Sequence, residues 1–584
     1  MSLKWNKSCA AIALAALLAG SVVANAQTSA SQAKAAVQRG TSAMTAQDYK
    51  GAEAEFRKAI ELDPDLIEAH TAFINAVRME KRAEAEKKKE EDAAKAAAAA
   101  EAAKKEASSR PAGFAPAFSL MSGPKLKQWD AANVKLKKTY EAWEKKYPTK
   151  PAFPWVLATL ASTPAERIAD YKKAIALDPK FIPAYKALAE DCDAKGDFPC
   201  AQGYLKKATE EVPGDPVLAF QYAVTYRFTA PATYERLMAD LVRKFPNNEM
   251  AVQAAYYLAD DTASRAKRTE KLEALRKKFA GNSSRAYQGA MRDLANLYTV
   301  SDPTKALALA LQMKLASPGM KDWDNIATYE TQLVAGQSLI QRKEYAQATE
   351  DLSKVKVPWF IDNTTLSLLK AEAEWDGGNR QKAYDALASL VAAQPNDVLQ
   401  TQLEKYGTAL KKKKGEIAAE IWKLRQTNAK PFKPFELVDF RTGKKVRLED
   451  YRGRVVLVNF WYPTCGACRD EFPYFRNILK KYRSQGFEIL GVNTQPSEDN
   501  SVLPMMDKGG FSDFVQLKVP NANWANNTYF VNLAPSNFLL DANGKTVFEP
   551  RVHDVDTQHT MEEEIATLLA HAPKYKATSG NAKH

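Results

Sequence analysis

Residues 459–473 read NFWYPTCGACRDEFP and contain two of the five cysteines in a chain of 584 residues. Residues 454–461, RVVLVNFW, precede the two cysteines and form a short apolar run, which is typical of a strand buried on both faces of a sheet. The letters after it, RDEFPYFRNILKKYRSQG, place apolar residues at helical spacing until Gly486 ends the pattern. The sequence therefore predicts that Cys465 and Cys468 lie where a buried strand gives way to a helix.

This predicted position favours a reactive thiolate at Cys465. Unpaired backbone N–H groups and the positive end of the dipole lie at a helix N-terminus, and they lower a free cysteine pKa of about 8.5 by one to several units. Cys465 is then suited to attack a partner disulfide, and Cys468 to resolve the mixed disulfide. A permanent structural disulfide is an alternative. A zinc site is another, although His553 and His559 lie more than 80 residues away.

Further elements follow the motif. FEILGVNTQ predicts a second strand, NFLLDANGKTVFEP a hairpin that turns at residues 541–544, and TMEEEIATLLAHA a closing helix. A strand, a helix, a strand and a hairpin in this order indicate an α/β domain over residues 429–575, followed by a tail over 576–584.

The start of the chain has the pattern of a secretory signal peptide. Lys4 and Lys7 form a basic start, CAAIALAALLAGSVV is apolar, and Ala-Asn-Ala at 24–26 precedes Gln27 as a cleavage pattern. We therefore expect a signal peptide over 1–26 and an exported protein, most simply in a bacterial periplasm. The apolar run is shorter than a membrane span of about 20 residues, so a membrane association is expected only if this segment stays uncleaved.

The region between these ends repeats itself. AEAEFRKAIELDPDLIEAHTAF begins at Ala52 and RIADYKKAIALDPKFIPAYKAL at Arg167, and both contain K-A-I-x-L-D-P. Prolines then recur 34 and 33 residues apart, from Pro179 to Pro213 to Pro246. The small-x3-aromatic-x2-Ala-x4-Pro pattern resembles the tetratricopeptide repeat, in which stacked helical hairpins bury a common core.

This resemblance implies an all-α solenoid before the α/β domain. We expect a first repeat over 31–80 and further repeats over 126–425. The residues between them, 81–125, are rich in Ala, Lys and Glu and have no sustained apolar stripe, which predicts a helical linker. Because repeat arrays present extended binding surfaces, a protein partner on the repeats is expected.

A second cysteine pair lies within the repeats. Cys192 and Cys200 flank the turn DAKGDFP between two predicted helices. An oxidising compartment would permit a structural disulfide across that turn. Cys200 also stands at the small-residue position of a repeat, where an unbonded core cysteine is the alternative.

The overall charge does not favour a nucleic-acid partner. Lys and Arg total 83, Asp and Glu total 70, and the net charge is +13. This excess is modest for such a length, and the lysines lie on patterns typical of solvated helix faces. We expect no nucleic acid among the partners.

The C-terminal stretch resembles the TlpA/ResA-type reductases of the redoxin and AhpC/TSA superfamily. The likeness covers the lead-in PFELVDFRTGKKVRLEDYRGRVVLVNFW, the cysteine motif and NLAPSNFLLDANGK. It implies a thioredoxin fold with a redox-active disulfide in which Cys465 attacks and Cys468 resolves. It also implies that Glu471 handles protons near the thiols, and that Pro535 is a cis-proline that offers backbone to an extended substrate.

Other positions qualify this resemblance. Asn459 stands where thioredoxin has a buried Asp, so more of the proton transfer would fall to Glu471. Trp461 matches the family's tryptophan after the strand and is expected to pack. The dipeptide Gly466-Ala467 lacks the proline of C-G-P-C, and the direction of electron flow stays open. From the residues alone, Glu471 could also be an ordinary carboxylate in the first turns of a helix.

Together these features predict an exported thiol–disulfide oxidoreductase without metal or organic cofactor. It would exchange two electrons with protein thiol or disulfide clients and with a redox partner. The alternatives are a repeat-based binding scaffold with an accessory redoxin domain, and a thiol peroxidase. The peroxidase signature P-x-x-x-T-x-x-C is not met, because Val458 and Tyr462 stand at its Pro and Thr positions before Cys465.

Overall fold

The computed structural model describes residues 29–107, 124–227, 229–262, 264–358, 361–548 and 555–574. The predicted signal peptide (1–26) and the predicted tail (576–584) lie outside the described residues. The chain divides into two compact units, one up to Leu188 and one from Ala189 onward. No helix in the described ranges is long and apolar enough to cross a bilayer.

The first unit is helical throughout its described residues. Its helices are α1 (29–45), α2 (Tyr49–Leu62), α3 (Ile67–Ala107), α4 (Pro124–Lys146), α5 (Ala152–Thr159), α6 (Pro164–Leu177) and most of α7 (Ile182–Asp193). Its core is aromatic, with ring centroids 5.2 Å apart for Phe73 and Trp143 and 5.1 Å apart for Tyr140 and Trp143. Helix α3 continues through the boundary expected at residue 80, because Ala, Lys and Glu all favour a helix.

The second unit begins with the last turn of α7, and its described residues continue with thirteen helices, which we call the repeat helices. They are α8 (Phe198–Glu211), α9 (Pro216–Val224), α10 (Pro231–Lys244), α11 (Glu249–Asp260), α12 (Arg265–Lys278), α13 (Arg285–Ser301), α14 (Pro303–Ala316), α15 (Lys321–Gln341), α16 (Tyr345–Ser353), α17 (Thr364–Asp376), α18 (Arg380–Ala393), α19 (Asp397–Ala409) and α20 (Lys414–Asn428). Two clusters of buried side chains run along them.

Prolines mark helix ends in the same way in both units. Each helix stops two residues before its proline: α2 before Pro64, α6 before Pro179, α8 before Pro213 and α10 before Pro246. The residue before a proline is pushed away from helical backbone angles, which accounts for the shared ending. The common geometry fits the predicted repeats, whose number stays a prediction.

The described residues from 429 onward form an eight-stranded sheet with four α-helices and three short 3-10 segments. The strands are β1 (Lys430–Pro431), β2 (Glu436–Asp439), β3 (Lys445–Arg447), β4 (Val455–Trp461), β5 (Phe487–Asn493), β6 (Val515–Lys518), β7 (Ser536–Leu540) and β8 (Lys545–Thr546). The helices are α21 (Gly466–Tyr482), α22 (Asp499–Gly509), α23 (Trp524–Tyr529) and α24 (Val555–Ala570), and the 3-10 segments are Leu448–Tyr451, Arg483–Gln485 and Pro496–Glu498.

Strand β4 lies inside this sheet. The strand order is β1-β8-β7-β4-β5-β6-β2-β3, with β4 parallel to β5 and antiparallel to β7. Side chains alternate across a strand, so Val455, Leu457 and Trp461 join the core that includes α21, while Val456 and Val458 join the core on the other face. The predicted fold class, a helical region followed by an α/β domain of the thioredoxin type, is confirmed.

Candidate redox-active site

Cys465 is the N-cap residue of α21, directly after β4. The backbone N–H of Cys468 points at the Cys465 Sγ at 3.2 Å, and the two cysteines form a disulfide. Cys465 is 6% exposed and Cys468 is fully buried. A sulfur at this position receives a backbone N–H and the positive end of the helix dipole, both of which stabilise a thiolate. The difference in exposure suits Cys465 to meet a partner first.

A cis peptide bond lies against this disulfide. The Ala534–Pro535 bond is cis, and the carbonyl oxygen of Ala534 lies 3.7 Å from the Cys465 Sγ. Only about 5% of X–Pro bonds in folded proteins are cis. The resemblance implied a cis-proline at Pro535, and the bond has this geometry. The sequence placed this residue 70 positions after Cys465, and the fold brings the two together.

Glu471 is buried one helical turn after Cys468. It is 1% exposed, and both of its carboxylate oxygens accept hydrogen bonds. The Asn537 amide donates to Oε1 at 2.7 Å and the Asn459 amide donates to Oε2 at 3.3 Å. Asn459 also donates to the Asn537 Oδ1 at 2.8 Å. Asn459 lies on the face of β4 that packs on α21, which places this amide within reach of the carboxylate.

Sequence reasoning missed Asn537. It stands opposite Asn459 in the antiparallel β4–β7 register and is 3% exposed. The only local signal for Asn537 was its place two residues after Pro535. The β4–β7 pairing that brings it to Glu471 joins Asn459 and Asn537, which are 78 residues apart in the chain.

Trp461 is fully buried. Its indole N–H donates to the Gln516 Oε1 at 2.8 Å, and its ring meets Phe472 edge to face at 4.9 Å. A second missed residue is Glu498, which accepts from both the backbone N–H and the hydroxyl of Thr464 at 2.8 Å. These bonds hold the loop that leads into Cys465.

The second cysteine pair is also a disulfide. The Cys192–Cys200 bond closes the turn between α7 and α8, which we call the cysteine turn (residues 192–200). The alternative of an unbonded core cysteine at Cys200 is therefore wrong in this structure. Within the described part of the chain, no cluster of three or more His, Cys, Asp or Glu side chains offers a metal site.

Comparison with known proteins agrees with this geometry. A family model described as Redoxin matches residues 427–569, which we call the redoxin domain. The thiol-disulfide oxidoreductase ResA of Bacillus subtilis strain 168 is 33% identical over 128 residues, which are 21% of this chain and 70% of that protein. The chain belongs to the ResA-type redoxin family.

Another relative and two solved structures match a similar share of this chain. ResA of Geobacillus thermodenitrificans is 36% identical over 103 residues, 18% of this chain and 58% of that protein. A thiol:disulfide interchange protein from Bacteroides sp. shares 25% identity over 27% of this chain and 95% of its own, with a TM-score of 0.21. The thioredoxin domain of a thiol-disulfide oxidoreductase from Bacteroides vulgatus shares 26% identity over 23% and 95%, also with a TM-score of 0.21. The family model and the ResA relatives together show that the redoxin domain is of the thiol–disulfide oxidoreductase type.

Proposed function

We propose that this chain is an exported thiol–disulfide oxidoreductase whose repeat helices recruit a client or a redox partner. The observation that carries the proposal is the Cys465–Cys468 disulfide at the N-terminus of α21, facing the cis Ala534–Pro535 peptide. A purely structural disulfide would need neither the helix N-terminus nor the cis peptide beside its outer sulfur.

The exchange moves two electrons from the cysteine pair to the client, and the two released client thiolates take up, through solvent, the two protons that Cys465 and Cys468 give up. In the reducing direction, the Cys465 thiolate attacks one sulfur of a client disulfide, forms a mixed disulfide and releases one client thiolate. Cys468 then gives up its proton and attacks the Cys465 Sγ, which expels the second client thiolate and leaves the Cys465–Cys468 disulfide. A dithiol partner restores the reduced pair, and the reverse sequence oxidises a client dithiol.

Glu471 is the proposed proton carrier for the second step. It follows Cys468 by one helical turn, where side chains three residues apart are neighbours. Its buried position keeps bulk water out of the transfer, and the two asparagine amides keep the carboxylate in place. It accepts the Cys468 proton in the reducing direction and returns it in the other.

Clients are proposed to bind in an extended form beside the cis peptide. Two large, exposed apolar side chains precede it in the chain: Phe530 is 83% exposed and Leu533 is 78% exposed. A client that places its cysteine against Cys465 would run past the Ala534 carbonyl and meet Leu533. We therefore propose protein clients with apolar residues near the reacting cysteine.

Export is supported by the segment 1–26 and by the disulfide chemistry. Disulfides persist outside the cytosol, and both Cys192–Cys200 and Cys465–Cys468 are bonded here. The bacterial periplasm is the compartment that fits both features.

The proposal is tested by trapping. A full-length Cys468→Ser variant, expressed with its own N-terminus, should accumulate mixed disulfides through Cys465, because the resolving thiol is gone. The matched Cys465→Ala/Cys468→Ser control should trap no protein at this site. Insulin reduction should fall by at least about a hundredfold in Cys465→Ala, as expected when the attacking nucleophile is removed. Full activity in Cys465→Ala would contradict the proposal.

A further inference from the structure

The cysteine turn packs on the redoxin domain through its backbone. Gly196 has a φ of +67°, and a Cβ added there would lie 2.8 Å from the carbonyl oxygen of Met505 in α22. Both the left-handed backbone and the close approach require glycine. Beside it, the Lys508 ammonium donates to Asp197 at 2.5 Å. The turn is therefore in close contact with α22.

The same turn pairs with the first turn of α21. The Arg469 guanidinium donates to both carboxylate oxygens of Asp193, with one contact at 2.6 Å. It also lies 5.6 Å from the centre of the Phe198 ring. Only 14% of the Arg469 side chain is exposed. A bidentate pair of this kind is strong and is screened by salt less than an exposed one.

A second ion pair holds Asp470, the residue that follows Arg469. Arg227, which follows α9, donates to Asp470 at 2.8 Å and also pairs with Asp261. Burial raises the pKa of Asp470, although Arg227 acts against that shift. The two residues that directly follow Cys468 in the chain are thus both held by residues from outside the redoxin domain.

The charge beside a redox cysteine sets its potential. The reduced form of a dithiol is favoured when a nearby positive charge stabilises its thiolate, and such a pair is a stronger oxidant. Arg469 directly follows Cys468 in the first turn of α21, and its backbone N–H donates to the Cys465 carbonyl at 3.2 Å. Its side chain therefore starts beside the cysteine pair, and its guanidinium is the positive charge to which we assign this effect. Asp193 neutralises it.

We propose that Asp193 is a positioning residue of the redox site, which pairs with Arg469 and so lowers the reduction potential of the Cys465–Cys468 pair. The cysteine turn holds Asp193 in place, so the helical part of the chain contributes to the chemistry as well as to any recruitment. The inference rests on the proposed function, because it concerns the reduction potential of the same cysteine pair.

Two variants each break the Asp193–Arg469 contact, one by removing the negative charge and the other by removing the positive charge. Asp193→Asn leaves Arg469 unneutralised, whereas Arg469→Gln leaves Asp193 unneutralised. The full-length proteins are equilibrated with reduced and oxidised glutathione and alkylated, and the tryptic peptide that begins at Val455 is quantified by mass spectrometry. This peptide ends at residue 469, or at 476 in Arg469→Gln, and reports the Cys465–Cys468 pair alone.

We expect Asp193→Asn to shift the equilibrium constant toward the dithiol by about threefold to tenfold, where tenfold corresponds to about 30 mV for a two-electron couple. Arg469→Gln should shift it the other way by a similar factor. The Asp193→Asn/Arg469→Gln double variant should return to within about twofold of the wild-type value, and Asp193→Glu should keep it.

A merely structural contact predicts a different result. If both single variants and the double variant shift in the same direction, loss of packing is the cause and the proposal is wrong. It is also wrong if Asp193→Asn, folded by circular dichroism, leaves the potential unchanged. Lys508→Gln is the control, since it breaks the Asp197 contact without changing the charge on α21. A wild-type pair that glutathione or dithiothreitol cannot reduce would instead contradict the proposed function.

Discussion

Two asparagine amides surround Glu471. One of them, Asn459, stands where thioredoxin has a buried Asp. Asn459 and Asn537 each donate to one of its oxygens and are bonded to each other. An unpaired buried carboxylate is costly, and hydrogen bonds offset that cost. Under the proposed function Glu471 carries the proton that leaves Cys468, and the two asparagine amides keep its carboxylate oriented.

Replacing Glu471 by Gln should therefore slow the second step only. We expect resolution of the mixed disulfide by Cys468 to fall by about tenfold to a hundredfold, within the range of general acid–base catalysis or just below it. Alkylation of reduced Cys465 should stay within about twofold, because that sulfur faces the helix N-terminus. Stopped-flow fluorescence separates the two steps. Glu562→Gln, at the surface beside Lys481, is the control, and an equal loss in both variants would remove the assigned role.

At the scale of elements, the cysteine turn is a small rigid unit. Its disulfide joins the end of α7 to the start of α8, and Asp197 caps α8 by accepting from the Cys200 N–H at 3.2 Å. By the loop-closure entropy that a cross-link removes from the unfolded chain, a loop of this size stabilises the folded state by roughly 2–3 kcal/mol. The disulfide thereby keeps Asp193 ready to meet Arg469.

Removing this disulfide should open the turn to a protease. Lys195 lies within it and is bonded to Asp191, and trypsin cleaves after lysine. We expect Cys192→Ser/Cys200→Ser to be cut at Lys195 about tenfold faster than wild type, as followed by peptide mass spectrometry. Cys465→Ser/Cys468→Ser should be cut at the wild-type rate. Equal rates in all three proteins would show that packing alone holds the turn.

Helix α15 contains a buried acid with a pH consequence. Glu330 is fully buried and accepts from the Thr299 hydroxyl, and burial raises its pKa from 4.5 to about 7. The folded protein therefore keeps a proton that the unfolded chain loses, so stability is full below pH 4.5 and falls as the pH rises to about 7. The loss is on the order of 2–3 kcal/mol. In Glu330→Gln this fall should disappear, which urea titrations at pH 5 and pH 8 can detect. An unchanged difference between the two pH values would contradict the assignment.

At the scale of the whole molecule, local patterns and long-range contacts differ in how well the sequence predicts them. Strand β4, helix α21 and the hairpin at 541–544 follow from a short apolar run, helical spacing and turn residues, which are properties of neighbouring positions. The Asn537–Glu471 bond depends on a strand register, and the Asp193–Arg469 pair joins residues 276 positions apart. No local pattern carries such contacts, so only the folded structure shows them.

The two disulfides of the molecule should differ in how easily they are reduced. Cys465 caps a helix and receives the Cys468 N–H, which favours its thiolate. At the cysteine turn the N-cap residue of α8 is Asp197, which accepts the Cys200 N–H, so neither Cys192 nor Cys200 holds the capping position that favours a thiolate. The thiolate form is the reactive and stabilised product of reduction, so the Cys465–Cys468 pair should have the higher potential.

A redox titration of the full-length protein checks this difference. Without reductant, the tryptic peptides of both pairs should carry no alkylation label. As the ratio of reduced to oxidised glutathione or dithiothreitol rises, label should appear first at the Cys465–Cys468 pair and at the other pair only after at least about a further 30 mV, which is tenfold in equilibrium constant. Cys192→Ser/Cys200→Ser is the control and should retain the first step alone. Simultaneous labelling of the two pairs, or earlier labelling of Cys192 and Cys200, would mean that the helix-capping position of Cys465 does not govern which pair is reduced first.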